Sequence, residues 1–344
     1  MTQSDPLTVL LTGATGLVGG ALAGALLDAG HKVIAVVRGE GRQVLDIESR
    51  NRADEIITVQ GDVSAPGFAM EQIPGEIDLL IHCAATTDFT ASDAVYEAVN
   101  IGGARHAVAL AQQLGARLLH VSTAYSCGRA DGLVPEAPAD PEREFTNGYE
   151  RSKAIAESHV MAARQEELIA AIARPSIIVG RLSDGAIPRQ DDFYHLFRLF
   201  GSPLLKQVPA IDGAAFAIVP LDHVVSGLMA MAENMAQFDG DAVHLVADKP
   251  FPLADMLEIV AEYPRAYPAE IVHPDAYDVD QLDRRSLMVH RKVGAQFFDY
   301  FARVPLFESR ILAEKAGIAA PHIDKAALRR MVEYCHGTGF LDWK

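Results

Sequence analysis

Short apolar runs alternate with longer segments of helical spacing over the first half of the chain. The runs predict buried strands, and the Ala- and Leu-rich segments between them predict helices. Strands that alternate with helices form a parallel sheet covered on both faces, which is an α/β, doubly wound architecture. The strands are expected at residues 7–12, 31–38, 56–60, 78–85, 117–123 and 169–174, and the helices at about 21–29, 93–114 and 148–167.

A glycine-rich turn follows the first predicted strand. Gly13, Gly16 and Gly19 are spaced by three residues between that strand and the first helix. Gly13 permits a tight turn, Gly16 lets the backbone approach a phosphate, and Gly19 lets the helix pack closely on the strand. The unpaired N–H groups at the start of the helix would face a pyrophosphate. The spacing favours a dinucleotide site, and an ordinary turn is the alternative.

Composition and charge limit the possible partners. The net charge of −16 over 344 residues argues against nucleic acid or an anionic membrane surface. The chain begins with polar residues rather than a secretory signal, and no apolar run has the ~20 residues needed to span a bilayer. The three cysteines have no metal-ligand spacing, so no metal site is predicted. We expect a cytoplasmic protein with reduced thiols that acts on a small molecule.

A tyrosine and a lysine lie four residues apart on one predicted helix. Tyr149 and Lys153 therefore share a helix face. A nearby ammonium stabilises a phenolate, so we expect Lys153 to lower the pKa of Tyr149 toward neutrality, which suits a general acid or base. Thr123, at the end of a strand, is expected to donate a second hydrogen bond to the same substrate oxygen. Ser122 is the alternative to Thr123, and a solvated helix face is the alternative for the tyrosine and lysine.

Taken together, these motifs resemble the extended short-chain dehydrogenases/reductases of the NAD-dependent epimerase/dehydratase superfamily. The resemblance spans about residues 7–247 in the family's order and is carried by Gly13-x-x-Gly16-x-x-Gly19, Gly61-Asp62-Val63, His82-Cys83-Ala84-Ala85, Val121-Ser122-Thr123-Ala124-Tyr125, Tyr149…Lys153 and Arg174-Pro175-Ser176. It implies a Rossmann-type fold. It also implies Thr123 as the hydroxyl partner, Tyr149 as the acid/base, and Lys153 as its activator and a ribose ligand.

The same resemblance implies a cofactor-binding set along the strand ends. Asp62 and Val63 would meet the adenine, residues 84–86 would line the cofactor's path, and residues 175–176 would flank the nicotinamide. Asn100 matches a helix asparagine of the family, and a surface polar residue is its alternative. The implied set is Gly13, Thr15, Gly16, Leu17, Val18, Gly19, Arg38, Asp62, Val63, Ala84, Ala85, Thr86, Asn100, Ser122, Tyr149, Lys153, Pro175 and Ser176.

The end of the second strand bears on the choice of cofactor. Arg38 stands where relatives that prefer NAD carry an acidic residue for the ribose 2′-hydroxyl, and Glu40 comes two residues later in a turn. A guanidinium suits a 2′-phosphate, with Arg42 as a second contact. We therefore expect NADP(H), with NAD(H) still possible. A solvated loop arginine is the alternative.

The motifs also indicate a branch of the family. Ala124-Tyr125 replaces the Asp-Glu of nucleotide-sugar dehydratases, and Arg174-Pro175-Ser176 is closer to reductases than to epimerases. The chain looks most like fatty acyl-CoA reductases and thioester reductase domains. This implies hydride transfer to a carbonyl or acyl thioester. The alternatives are an epimerase that uses bound NAD(P) without net turnover and a non-catalytic NADP-binding regulator.

The pattern becomes irregular beyond residue 180. We expect an NADP(H)-binding domain of residues 1–180, with strands at 217–222 and 242–246 that return to the sheet within about 215–247. Residues 181–214 and 248–344 are expected to form a smaller, mostly C-terminal substrate-binding lobe. Aromatic runs at 193–200 and 297–301 would line an apolar channel or, as the simpler alternative, form core. His223 beside Asp222 is expected to be a strand-end residue with a local role, and a catalytic dyad is the alternative. A homodimer stays open.

Overall fold

The computed structural model of the chain describes residues 5–39, 55–164, 167–294 and 297–344. Within those residues most strands are short. They are β1 (Thr8–Thr12), β2 (Lys32–Val37), β3 (Ile57–Gln60), β4 (Leu79–His82), β5 (Arg117–Val121), β6 (Gly132–Val134), β7 (Ala170–Pro175), β8 (Ile177–Val179), β9 (Gln207–Pro209), β10 (Ala215–Phe216), β11 (Ile218–Pro220), β12 (Ala242–Leu245), β13 (Phe251–Pro252), β14 (Glu270–Val272) and β15 (Pro305–Phe307).

A seven-stranded parallel sheet in the order β12-β7-β5-β4-β1-β2-β3 is the centre of the fold. From β1 the chain first builds outward through β2 and β3, then crosses back to β4 on the other side of β1. The carboxyl ends of β1 and β4 therefore flank the point where the strand order reverses. In such sheets ligands bind at that point. The predicted doubly wound α/β fold is confirmed.

Helices cover both faces of the sheet. They are α1 (Leu17–Asp28), α2 (Asp93–Tyr96), α3 (Gly102–Leu114), α4 (Gly148–Ala163), α5 (Asp192–Phe200), α6 (Leu221–Glu233), α7 (Leu253–Ala261), α8 (Arg284–Val289), α9 (Ile311–Ala316) and α10 (Lys325–Gly337). Alternate residues of β1 show the two layers: Val9 and Leu11 pack toward α1 and α6, whereas Leu10 packs toward α3 and α4. Strands β4, β7 and β12 are buried along their whole length, as expected for a parallel sheet covered on both faces, whereas the edge strand β3 is largely exposed. None of the helices in the described ranges has the length and apolar character needed to cross a membrane.

The long helix predicted at 93–114 is interrupted. A π-helical turn, Glu97–Ile101, separates α2 from α3. Such turns are uncommon and are frequent at functional sites. This one carries Asn100 into the interior, where its side chain is 1% exposed.

One of the two returning strands has a different partner from the one predicted. β12 joins the main sheet beside β7, but β11 pairs with β8 in a separate two-stranded sheet. The expectation that residues 217–222 return to the main sheet is therefore wrong. β7 continues into β8 after a single residue, Ser176, and it is this extension that β11 pairs with.

A third hydrophobic core lies outside the sheet. It is aromatic and is built from α5, α7, α10 and the segment Phe298–Ala302, with Phe197, Phe200 and Phe301 fully buried or nearly so. Ile311 and Leu312 of α9 pack instead with the core of the sheet. The division at residues 180, 214 and 248 stays a prediction.

Candidate active site

The glycine-rich turn joins β1 to α1 at the carboxyl end of the sheet. Gly13 has a φ of +74°, and a Cβ there would lie 2.7 Å from the backbone nitrogen of Ala84, so the turn requires glycine. A Cβ at Gly19 would collide with the Gly13 carbonyl oxygen. Helix α1 begins at Leu17 with no side-chain cap and no acidic residue in its first turn. Its first N–H groups therefore remain available to an anion, and the turn fits a dinucleotide pyrophosphate.

A cavity of about 340 Å³ extends from this turn to the aromatic core. It lies where the sheet order reverses, between the strand ends and that core. Its wall includes many of the predicted site residues, together with side chains of α5 and of the segment Phe298–Ala302. The predicted residues on the wall are Gly13, Gly16, Leu17, Val18, Gly19, Ala85, Thr123, Tyr149 and Ser176.

Two separate elements bring the hydroxyls of Thr123 and Tyr149 together in this cavity. Thr123 follows β5 directly and is 7% exposed, whereas Tyr149 lies in the first turn of α4. The Thr123 side chain lies close enough to the Tyr149 hydroxyl to oppose the rise in the pKa of that tyrosine. Thr123 Oγ1 also accepts a hydrogen bond from the backbone nitrogen of Tyr125 at 3.3 Å, which leaves its own hydrogen to be donated. The pair can present two hydroxyl donors to one oxygen atom.

Lys153 lies one turn further along α4. It is 2% exposed, and its Nζ donates to the carbonyl oxygen of Val121 at 2.7 Å. Burial lowers the pKa of Lys153 to about 8, and the negative charge of Glu157 opposes this shift. Glu157 forms a buried ion pair with Arg174 of β7, at 2.5 Å between Nη2 and Oε2. The hydrogen bond to Val121 thus fixes the Lys153 side chain against β5, and the carboxylate of the buried ion pair raises the lysine pKa.

The pKa of Tyr149 shifts in the direction opposite to the predicted one. Burial of the hydroxyl raises it above the usual range, and the charge of Glu150 raises it further, while the hydrogen bond with Thr123 opposes the shift. The expectation of a tyrosine near neutrality is therefore wrong for this structure. The physical reason is that a phenolate would be poorly solvated and would lie beside a buried carboxylate. Tyr149 is a neutral phenol at neutral pH.

Asn100 holds the loop after β4. Its Oδ1 accepts from the backbone nitrogen of Thr86 at 2.8 Å, and its Nδ2 donates to the Thr86 carbonyl at 3.1 Å and to Ser152 Oγ at 2.8 Å. The alternative interpretation of Asn100 as a surface residue is wrong. At the start of the same loop, the backbone nitrogen of Ala84 donates to Thr12 Oγ1 at 3.1 Å. The loop over residues 84–86 is therefore fixed from both sides.

The residues predicted for the adenosine end lie at the ends of β2 and β3. Asp62 follows β3, and hydrogen bonds from the backbone and hydroxyl of Ser64 lower its pKa, with a smaller contribution from the charge of Arg38. The Val63 carbonyl oxygen contacts His106 Nδ1 at 2.9 Å. Arg38 is exposed at the end of β2. Glu40 and Arg42 lie outside the described residues.

Of the remaining predicted residues, Ser176 is on the cavity wall, and Ser122, Pro175 and Thr15 lie in the neighbouring segments. Ser122 and Ser176 are 4% and 7% exposed, and neither hydroxyl has a hydrogen-bond partner in the described part of the chain. Pro175 ends β7, and Thr15 is partly buried in the glycine turn. Predicted residues that are not on the cavity wall are Thr15, Arg38, Asp62, Val63, Ala84, Thr86, Asn100, Ser122, Lys153 and Pro175.

The amino-acid sequence that forms this site matches the sequence model of one protein family. The family is described as "Male sterility protein", an NAD-binding family, and it matches residues 11–228, more than half of the chain. The chain belongs to this family. The predicted relationship to the extended short-chain dehydrogenases/reductases, an NAD(P)-dependent enzyme class, is thereby confirmed, as is a nicotinamide cofactor.

Two curated relatives illustrate the branch. Human fatty acyl-CoA reductase 1 is 30% identical over 281 residues, covering 65% of this chain and 54% of that protein. Peramine synthetase ppzA of Metarhizium rileyi is 26% identical over 392 residues, covering 98% of this chain and 13% of that protein. The chain thus spans about half of the acyl-CoA reductase and a small part of the synthetase.

Solved structures share the fold of this Male sterility family member. The terminal R domain from the myxalamid PKS-NRPS biosynthetic pathway superposes with a TM-score of 0.82 at 23% identity, covering 100% of this chain and 93% of that one. MoeE5 in complex with UDP-glucose and NAD superposes with a TM-score of 0.65 at 18% identity, covering 96% and 99%. The predicted fold class is confirmed by both.

A cluster beside Tyr149 was missed from the sequence. Glu150 is fully buried and accepts a hydrogen bond from the Tyr300 hydroxyl at 2.6 Å, and Arg303 lies 3.5 Å from the same carboxylate oxygen. Asn147 caps α4 by accepting from the Glu150 backbone nitrogen at 2.9 Å, and it donates to Tyr300 at 3.0 Å. The Asn-x-x-Glu spacing is a capping signal that identifies this helix start. Nothing local indicates the partners at 300 and 303.

The aromatic runs divide between the two predicted roles. Phe193 and Phe297 line the cavity, whereas Phe197, Phe200 and Phe301 lie in the core. Phe89, a cavity residue that the sequence analysis did not predict, packs against Tyr149 with 5.6 Å between the ring centroids.

Asp222 and His223 lie in the first turn of α6 rather than at a strand end. The Asp222 carboxylate accepts from the backbone nitrogens of Leu182 and His223, and the local role of His223 stays a prediction. In the described ranges no three His, Cys, Asp or Glu side chains converge as metal ligands would.

Proposed function

We propose that this chain is an NAD(P)H-dependent reductase of a carbonyl or acyl thioester, with Thr123, Tyr149 and Lys153 as its catalytic residues. The observation that supports it most is that Thr123 and Tyr149 lie close together on the wall of the cavity that begins at the glycine turn. When bound, the cofactor supplies the hydride. The chain supplies proton donors at the carbonyl oxygen and apolar space for the rest of the substrate.

Each hydroxyl has a distinct task in this proposal. Tyr149 is a neutral phenol because its pKa is raised, so it can give its proton to the carbonyl oxygen as negative charge develops there. Thr123 donates a second hydrogen bond to the same oxygen. Lys153, with a pKa of about 8, carries a positive charge at neutral pH and stabilises the tyrosinate that remains. A good leaving group such as a thiolate would make the proton transfer less demanding.

The proposed cofactor is NADP(H). Arg38 is exposed at the strand end next to Asp62, where the adenosine ribose of a bound dinucleotide would lie. A guanidinium there is matched to a 2′-phosphate by charge and by paired hydrogen bonds. Gly13, Gly16 and Gly19 would hold the pyrophosphate, and Ser122 and Ser176 offer unpaired buried hydroxyls near the nicotinamide end.

The test is oxidation of NADPH against acyl-CoAs, aldehydes, ketones and UDP-sugars. We expect stoichiometric consumption with an aldehyde or acyl-CoA. Tyr149→Phe keeps the ring and should lower kcat and kcat/KM together by ~10²–10⁴, because a general acid acts mainly in the transition state. Tyr334→Phe is the matched control, since its hydroxyl donates to the Ile187 carbonyl at 3.2 Å and neither residue is on the cavity wall.

Two results would contradict the proposal. Near-wild-type kcat in both Tyr149→Phe and Lys153→Met would remove the catalytic set. Conversion of a UDP-sugar by tightly retained cofactor, with no net oxidation, would support the epimerase instead.

A further inference from the structure

We propose that the cavity ends in a closed apolar subsite whose floor is Phe216, so that the enzyme accepts compact apolar acyl groups and rejects long straight chains. This inference rests on the proposed function and names its substrate class: aldehydes or thioesters with a short or medium-length apolar acyl group. It concerns a part of the chain, residues 181–292, for which the sequence motifs carry no assignment.

The cavity is polar at its mouth and apolar at depth. At the mouth, Arg189 and Asp191 form an ion pair with side chains 55% and 41% exposed. The deeper wall is formed by Phe193, Leu196 and Phe216, which are 7%, 2% and 3% exposed. A ligand that enters past the ion pair therefore meets only hydrocarbon in this direction. Such a wall favours an apolar group over a sugar.

The floor is held from behind by buried aromatic rings. The Phe216 ring packs edge-on against the Phe301 ring, with 4.9 Å between the ring centroids, and its centroid lies 6.1 Å from that of Phe200. Phe200 and Phe301 are both 0% exposed. Phe193 packs edge-on against the cavity side of the cluster at 5.7 Å. The backbone of Phe216 is fixed because β10 pairs with β13, with Phe216 opposite Phe251. An acyl chain that reaches Phe216 cannot extend further without displacing the core.

The size of the cavity gives the same limit. Its volume of about 340 Å³ includes the region beside the glycine turn, so only part of it is left for the acyl group. Each methylene that enters an apolar pocket should raise kcat/KM by about 4-fold. Once the chain reaches the floor, each further methylene must force the aromatic core apart and should lower kcat/KM. The structure thus predicts a maximum in the chain-length profile.

Three variants test the floor. Phe216→Leu shortens the floor and keeps an apolar residue in the core. Leu196→Phe, on the cavity side of α5, should fill the subsite. Leu199→Phe is the matched control, because it makes the same substitution on the same helix at a residue that packs on the lobe core but is not on the cavity wall. Having one variant that enlarges and one that fills keeps the test valid if either fails to fold.

The activity assay is NADPH oxidation with straight-chain aldehydes from butanal to hexadecanal and the corresponding acyl-CoAs. Wild type and Leu199→Phe should share one maximum. Phe216→Leu should move it to a longer chain and raise kcat/KM beyond the wild-type maximum by at least about 5-fold. Leu196→Phe should move the maximum to a shorter chain. A wild-type profile that rises without a break to hexadecanal, or identical profiles in the enlarged and filled variants, would overturn the inference.

A second readout does not depend on turnover. Straight-chain primary alcohols from butanol to hexadecanol are titrated calorimetrically into the protein with and without NADP⁺. We expect affinity to rise and then fall at the same chain length, with the same shifts in the variants. If binding follows this pattern but no carbonyl compound is reduced, the subsite stands and the proposed reductase activity fails. If reduction occurs and binding shows no break, the activity stands and the closed floor is wrong.

Discussion

The buried ion pair behind Lys153 yields a prediction whose size follows from the structure. The side chains of Arg174 and Glu157 are 4% and 1% exposed. Arg174 Nε and Nη2 donate to the two carboxylate oxygens at 3.0 and 2.5 Å, and its Nη1 donates to the Ala137 carbonyl at 2.7 Å. Arg174→Met keeps most of the hydrocarbon volume but leaves a buried carboxylate without its cation. We expect it to lower the free energy of unfolding by ~3–5 kcal/mol.

The assay is urea unfolding of the single and double variants at neutral pH. Arg174→Met combined with Glu157→Met should be less destabilised than Arg174→Met alone, because the unpaired charge has gone. Arg329→Met is the control, because it breaks an ion pair of the same 2.5 Å length, with Glu262, in which the side chains are 42% and 44% exposed. We expect this variant to lower the free energy of unfolding by at most ~1 kcal/mol. If Arg174→Met costs no more than this control, or the double variant is as unstable as the single one, the reasoning is refuted.

Two further predictions concern the cofactor. Arg38→Asp should weaken NADPH binding by ~2–4 kcal/mol and NADH binding less, because only the first carries the 2′-phosphate; equal losses in fluorescence titrations would remove Arg38 from that site. NADPH affinity should fall as pH rises through about 8, because Lys153 loses its proton there. In Glu157→Gln this fall should occur at a lower pH, since the negative charge that raises the lysine pKa is absent. An unchanged midpoint in that variant would exclude the assigned influence of Glu157.

Local pattern was enough to predict most of the sheet. The apolar runs at 7–12, 31–38 and 117–123 contain β1, β2 and β5, because a strand buried on both faces must be apolar throughout. The glycine turn was equally readable, since Gly13 requires its positive φ whatever lies further along the chain. The strand with which β11 pairs could not be predicted from the sequence. An isolated apolar run predicts a strand, but not the strand beside which it lies.

The candidate site shows the same division. Thr123 and Tyr149 meet, as expected when a strand end and a helix start converge at one edge of a parallel sheet. The direction of the tyrosine pKa was wrong, because it depends on the burial of the hydroxyl and on Glu150, whose carboxylate is held by Tyr300. That partner lies 150 residues away in the sequence, and no local spacing points to it.

The sequence by itself determined the alternation of strands and helices over residues 7–174, the phosphate turn and the family. Each of these depends on residue type and on periodicity over a few positions, so each is encoded locally. Tertiary structure alone decided which buried charges pair, as for Glu157 with Arg174, and which aromatic residue closes the cavity. Phe197 and Phe216 are equally apolar in sequence, but only Phe216 faces the cavity. The reason is that such contacts join distant segments, and they are selected by the packing of the whole core.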